Sequence, residues 1–487
     1  MPASNRSRPR ISTPLTSANR TSSISAGGAR IGRLLRAAFA CALACCLVAG
    51  LGYPASDACA EVRKTDAVLG VSVDSRGLSA EQCPSIDAQY AVVMDSEGTV
   101  YFERDAYAPA QIASITKVMT ALVALETLPL DAEVTVSAAA ATVGESSASL
   151  MDGDRMPLST ALEALLLSSG NDAAIAIGET VGRSLLGNDA ASGDEAMAAF
   201  ITRMNERAVE LGCTDTVFEN PHGLDHDQFA GNQHSCAMDV ALMVKAAMAI
   251  DTFRTIVATP AATIEVTRAD GQTGTIDLQT TDLMLTGGFE GACGVKTGFT
   301  ALAGQCFAGA ANRGGKEFYA IVLNSTSETQ RFADAETLLD WAFAHTTSYP
   351  LINATGTVSY NGASYPLVAE VAHQDFTDVT VPATVADPNQ AIEVFDLSGN
   401  VSQDVEFEQI TGNVHAGDKV GTLTFLQRNA QVASVDLIAA CDVEAPSLFD
   451  GIIIWWTRLF SGFTGAQTVA ESSLYNATPL IVDKTAS

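Results

Sequence analysis

Ala113-Ser-Ile-Thr-Lys-Val-Met-Thr-Ala-Leu122 is the stretch on which the reading of this chain turns. An apolar helical pattern runs on from it through Val118, Leu122 and Leu125, and Ser114 and Lys117 sit at i and i+3 at its start, so both side chains project from one face of one turn. An amine is thereby set beside a hydroxyl. A serine hydroxyl is a weak nucleophile until a neighbouring base takes its proton, and a lysine is that base only where burial or a second cation lowers its pKa. Two further stretches follow in order, Ser169-Gly-Asn171 and Lys296-Thr-Gly298, and Lys296 is a candidate for the second cation. Each stretch alone recurs by chance in a chain of 487 residues; the ordered triplet is specific.

Those three motifs resemble the S-x-x-K, S-D-N and K-T-G set of penicillin-recognising serine enzymes. The surrounding text narrows the likeness: Asp95–Tyr101, Ala113–Leu122, Leu167–Ala173 and Phe218–Asp225 (Phe-Glu-Asn-Pro-His-Gly-Leu-Asp) are similar to low-molecular-mass penicillin-binding proteins that are serine-type D-alanyl-D-alanine carboxypeptidases, over residues 85 to 440. The resemblance implies a transpeptidase-like α+β (α/β) domain, in which a helix-flanked sheet and a helical lobe hold the serine between them, followed by a small all-β sandwich. It implies Ser114 as acyl-forming nucleophile, Lys117 as its base, and Ser169 with Asn171 as the second wall of the cleft. Lys296, Thr297 and Gly298 would lie on the strand that receives the substrate's terminal carboxylate, and Arg331, in Gln330-Arg-Phe332, stands where the family keeps an arginine for that carboxylate; a planar bidentate donor suits the group. The family often has histidine where this chain has Phe299. That position supplies mainly a backbone N–H to the oxyanion hole, so the departure bears on substrate preference more than on activity. The implied reaction removes the terminal D-alanine of peptidoglycan stem pentapeptides through an acyl-enzyme, binds β-lactams, and needs no cofactor.

The two ends of the chain say where it acts. The first 29 residues, rich in Ser, Thr and Arg without an apolar period, read as disordered. Arg30, Arg33 and Arg36, an apolar run from Ala37 to Gly52, and Ala58-Cys-Ala60 before Glu61 have the order of an export signal, and the alternative is a retained signal anchor. Residues 1–60 are therefore expected to be an extension and signal peptide, with the enzyme on the outer face of the cell membrane or in the wall. The remaining chain carries 20 basic and 55 acidic residues, net −35, which makes nucleic acid an improbable partner. At the other end, Ser447–Phe463 places Leu448, Ile452, Trp455, Leu459 and Phe463 on one broad helical face and Asp450, Thr457, Arg458 and Ser461 on the other. Such a helix lies in a membrane interface, or docks on the preceding domain. Residues 464–487 read as a disordered tail.

Between the ends, strands are predicted at Tyr90–Met94 and through Tyr101, then helices over Ser114–Leu128, Leu158–Leu167, Ala196–Leu211 and Met238–Ala249 forming an all-helical lobe. Strands at 294–300, 304–311 and 317–323 complete the sheet and a helix over Asp334–Ala344 closes a catalytic domain at residues 61–350. Short β-rich pieces with Asn-Gly, Pro and Gly-Asp turns make residues 355–440 a β-sandwich. Six cysteines follow residue 60, and a Cys293–Cys306 disulfide across the Lys296 hairpin is one possibility. His222, His226 and His234 lack the H-E-x-x-H arrangement or a thiolate cluster, so no metal is expected. Two rivals stay open: a serine β-lactamase sharing all three motifs, and a non-catalytic wall-binding protein.

Overall fold

The computed structural model describes residues 61–464 and 467–481; the predicted extension and signal segment lie outside them. Two-residue strands β1 (Ala67–Val68) and β2 (Val71–Ser72) precede a hairpin of β3 (Tyr90–Asp95) and β4 (Val100–Arg104). Helix α1 (Lys117–Thr127) follows, then strands β5 (Glu133–Thr135) and β6 (Arg155–Pro157) and helices α2 (Leu158–Leu166), α3 (Asn171–Leu186), α4 (Gly193–Glu210), α5 (Ala237–Met248) and α6 (Asp251–Val257). A second hairpin, β7 (Ala261–Thr267) with β8 (Thr273–Gln279), and the single turn α7 (Leu283–Thr286) lead into β9 (Ala292–Thr300), β10 (Gly304–Arg313) and β11 (Lys316–Ser325), and α8 (Gln330–Ala344) closes the unit.

The central sheet runs β2-β1-β4-β3-β11-β10-β9, antiparallel throughout, with β9 at the edge. Its strands are apolar on both faces because both are covered. Side chains alternate across a strand, so Val92, Met94, Tyr319, Ile321 and Leu323 enter the core shared with the helical lobe, while Ala91, Val93, Phe318, Ala320 and Val322 pack under Phe332, Leu338 and Leu339 of α8. The lobe is not all-helical as predicted: β5-β6-β7-β8 form a four-stranded sheet within it. The hairpin register also answers the disulfide question. Cys306 stands opposite Gly298, whereas Cys293 lies near the far end of β9, between the residues facing Ala311 and Ala310, and all six described cysteines are free.

The β-rich remainder comprises β12 (Thr346–Pro350), β13 (Thr357–Tyr360), β14 (Ala363–Pro366), β15 (Ala369–Ala372), β16 (Thr380–Thr384), β17 (Ala391–Phe395), β18 (Ser402–Phe407), β19 (Lys419–Gln427) and β20 (Ala430–Ala439). A sheet ordered β18-β19-β20-β16-β15 and the ribbon β12-β17 share one core around Tyr349, Val371, Val381, Val394, Leu423 and Leu437. Helix α9 (Leu448–Thr464) follows. The expected disordered tail is corrected for residues 467–481: β21 (Ser473–Leu474) adds an edge strand to β15, and buried Asn476 donates to the Leu351 carbonyl (2.9 Å) and the Gln403 side chain (2.8 Å) while accepting the Asn353 N–H (2.6 Å). Pairing and hydrogen bonds to a waiting sheet edge order a segment with no apolar period of its own.

Candidate active site

Ser114 does not sit in α1 but in the tight turn Ala113–Thr116 that precedes it, with Ala113 held at φ 47°. The turn is wedged between two backbones that come too close for side chains. A Cβ on Gly298 would meet the Ile112 carbonyl at 2.7 Å, and one on Gly223, at φ +90°, would meet the Ala113 carbonyl at 1.9 Å. Strained backbone at such a place is held by its surroundings rather than by its own preference.

One helical turn on, Lys117 is fully buried, and its Nζ has three neighbours: Ser114 Oγ at 2.8 Å, Asn171 Oδ1 at 2.7 Å and the His222 carbonyl at 3.1 Å. Two of these accept only. A neutral amine has two N–H donors and one lone pair, so donation to Asn171 and His222 leaves the lone pair aimed at the serine hydroxyl. Burial lowers the Lys117 pKa well below its ordinary value and the nearby charge of Lys296 lowers it further, against a smaller opposing pull from Asp172. The arrangement can therefore take the Ser114 proton without first discarding one of its own.

Asn171 opens α3 and also donates to the Gly144 carbonyl (3.0 Å). Beside it, Asp172 accepts the N–H groups of Ala148 and Leu150 (both 3.1 Å) and the Ser147 hydroxyl (2.6 Å), pinning the 144–150 loop as a wall. Ser169 reaches that wall with φ 57°, a conformation costly to an L residue. Ser114, Ser169, Asn171, Thr297, Gly298, Phe299 and Arg331 all line one cleft of about 580 Å³. Lys117 and Lys296 lie buried behind its lining.

The opposite side is β9, whose outer edge no strand among the described residues covers. Lys296 Nζ donates to the Thr297 carbonyl (2.9 Å), and the Thr297 hydroxyl is 2.6 Å from that of Thr281. Burial, and after it the charge of Arg331, brings the Lys296 pKa down to about 7. Arg331, at the start of α8, donates through Nη1 to the Gly298 carbonyl (3.1 Å), its Nη2 is 3.7 Å from Glu328, and its buried Nε has no partner among the described residues. An unused N–H at the lining of a cleft is capacity for an anion.

Every residue predicted for the site is thus in or directly behind one cleft. What the motifs did not reveal is the His222 carbonyl as the third neighbour of Lys117, the Thr281–Thr297 contact, and Glu145, Ser146 and His226 at the rim. His222 itself is spent on its turn, where its Nδ1 accepts the Leu224 N–H (3.2 Å) and burial takes its pKa down to about 3. Among the described residues no group of three His, Cys, Asp or Glu side chains is placed to hold a metal ion.

The profile of the D-alanyl-D-alanine carboxypeptidase family matches residues 78–327. The chain is 27% identical over 365 residues to the D-alanyl-D-alanine carboxypeptidase DacF of Bacillus subtilis (strain 168), covering 73% of this chain and 85% of the relative. It is 33% identical over 298 residues to the D-alanyl-D-alanine carboxypeptidase of Streptomyces sp. (strain K15), covering 59% and 98%. The crystal structure of the Streptomyces K15 DD-transpeptidase aligns with a TM-score of 0.50 at 33% identity, over 54% of this chain and 98% of that one. This company favours neither rival reading. The serine–lysine pair and all of the cleft lining except Glu328 and Arg331 thus lie within a match to one enzyme family over half of the chain, and the chain belongs to the D-alanyl-D-alanine carboxypeptidases, a family of serine peptidases.

Proposed function

We propose that the carboxypeptidase reaction runs on peptidoglycan stem pentapeptides with Ser114 as nucleophile and Lys117 as general base. Ser114 Oγ attacks the carbonyl carbon of the penultimate D-alanine while Lys117 takes the hydroxyl proton; the C–N bond to the terminal D-alanine breaks as that proton passes to the leaving amine. Water then attacks the acyl-enzyme by the same route and frees Ser114. The backbone N–H groups of Ser114 and Phe299 would stabilise the oxyanion, and Lys296, Thr297 and Arg331 would receive the terminal carboxylate. The observation that carries this reading is the 2.8 Å Ser114–Lys117 contact, with both remaining neighbours of Nζ acceptors in a fully buried site. β-Lactams would enter as acyl donors that the same serine opens. D-Alanine release from an acyl-D-Ala-D-Ala pentapeptide tests it: the wild type releases D-alanine and Ser114→Ala does not, whereas undiminished release by the variant removes the assignment.

The same reading puts the enzyme outside the cytoplasm, against the membrane through residues 447–463. Phe449, Ile453, Trp455, Phe460 and Phe463 are exposed on α9, Phe463 at 81%, and no residue of the helix is buried. No helix among the described residues is long and apolar enough to cross a membrane. Arg458, on the polar side, donates to the carbonyls of Gln374, Phe376 and Thr468, tying the helix to the β domain and turning its apolar face outward. With net charge −35 beyond residue 60, insertion of this face rather than attraction to anionic lipid would drive the binding.

A further inference from the structure

Lys296 and Arg331 are two buried cations that donate to the adjacent Thr297 and Gly298 carbonyls, and among the described residues no carboxylate lies within ion-pair distance of Lys296 Nζ. Left alone, such a pair sheds a proton from the lysine, because burial and like charge both disfavour the ammonium. One carboxylate nearby is not used by the catalytic reading. Asp282 is 2% exposed and precedes α7, where its Oδ1 accepts the N–H groups of Met284 (2.8 Å) and Leu285 (3.1 Å). Its other oxygen, Oδ2, is buried with no hydrogen-bond partner among the described residues. The turn it opens packs on both β9 and α8, the elements that carry Lys296 and Arg331, and the adjacent Thr281 hydroxyl meets that of Thr297. A buried carboxylate oxygen with no donor is costly unless charge offsets it, and those two cations are the charges that act on it.

We propose that Asp282 is the internal counter-ion of the carboxylate pocket: it keeps Lys296 protonated in the empty cleft and so sets the highest pH at which a carboxylate-ended substrate still binds. This rests on the assignment of Lys296 and Arg331 to that carboxylate. Asp282 is a positioning residue here, acting through Lys296 and touching no reacting atom. Burial raises its own pKa to about 6, against pulls downward from its two N–H donors, Lys296 and Arg331, while it pulls the Lys296 pKa upward. The two groups titrate as a unit. The other titratable side chains around them are Lys117 on α1, its neighbour Asp172 on α3, and Glu145, His226 and Glu328 in the cleft lining.

Asp282→Asn keeps an oxygen for the α7 cap and removes the charge, so a merely structural role predicts no titration change. With [13C]lysine-labelled protein, the Lys296 resonance, assigned by its loss in Lys296→Arg, is expected to titrate near 7 in the wild type and on the order of one pH unit lower in Asp282→Asn. The alkaline fall of kcat/KM on an acyl-D-Ala-D-Ala peptide should move down by the same interval, with the two enzymes converging below pH 6, where Asp282 is itself neutral. A C-terminally amidated peptide should show no such displacement. An unchanged Lys296 midpoint in Asp282→Asn overturns the counter-ion role and leaves the pocket assignment standing. A shifted midpoint with the amidated and free-acid peptides displaced alike overturns the pocket assignment, and with it the claim about substrate.

Discussion

Among the described residues two places bury cationic side chains, and they do so in opposite ways. Arg104, 1% exposed on β4, has all five N–H groups engaged: Nε and Nη2 donate to Asp66 (2.8 and 2.7 Å), Nη1 to the Ile86 and Ala88 carbonyls (2.8 and 3.2 Å), and Nη2 also to the Glu61 carbonyl (2.7 Å). The cleft holds Lys117, Lys296 and Arg331 with another cation acting on each lysine and, among the described residues, no hydrogen-bond partner for Arg331 Nε and no carboxylate within ion-pair distance of either lysine. Satisfied burial ties the N-terminal segment to the sheet. Incomplete burial holds amines ready to change state and donors ready for an anion, at a cost in stability that the rest of the fold absorbs.

The widest separation between the two places should appear on removing the amine at the serine. Lys117→Ala is expected to lower the β-lactam acylation rate by roughly three or more orders of magnitude, because the hydroxyl proton then has no acceptor; stopped-flow acylation reads it directly. Arg104→Ala should do the reverse, costing about 3–5 kcal/mol of stability by stranding Asp66, with the surviving folded fraction acylating at the wild-type rate. Denaturant melts alongside acylation rates separate the two, and a stable, inactive Arg104→Ala would break the comparison.

Arg331→Ala should weaken pentapeptide hydrolysis by roughly 2–4 kcal/mol of transition-state binding, with little loss of thermal stability since its donors are only partly used. Amidating the substrate's C-terminus should reproduce the kinetic loss in the wild type. Smaller still is the pH response. Lys117 must be neutral, so kcat/KM rises as pH passes upward through its depressed pKa; Lys296 must be charged, so kcat/KM falls as pH rises through about 7. A profile flat from 5 to 9 would mean that neither amine titrates in the reaction.

The membrane face is the last test and is best made by substitution. Replacing Trp455, Trp456 and Phe460 with serine should release the protein from liposomes without touching activity on soluble peptide, and raised salt should spare the binding of the unaltered chain. Truncation before α9 would also remove β21 and Asn476, so it confounds membrane release with damage to the β domain.

Chemistry was more legible in the sequence than architecture. Ser114, Lys117, Asn171 and Lys296 announce themselves because side-chain types at fixed spacing are what a motif records. The His222 carbonyl does the same work at Lys117 yet belongs to the backbone, and no motif shows it. Helix α3 is not among the predicted helices, and it carries Gly178 and Gly182, poor helix formers, where α4 comes so close that a Cβ on Gly182 would meet the Ala196 carbonyl at 1.9 Å. The β7–β8 hairpin alternates with only one face buried, a weak pattern inside a lobe read as helical. The tail's order comes from a partner edge formed a hundred residues earlier, which no local pattern records.

The central claim is that Ser114, activated by Lys117, is the acyl-forming nucleophile, and intact-mass measurement after mixing with benzylpenicillin tests it most directly. One penicilloyl increment is expected on the wild type, mapped to the peptide containing Ser114, and none on Ser114→Ala. An adduct of undiminished yield on Ser114→Ala, or one mapped to another residue in the wild type, would contradict it.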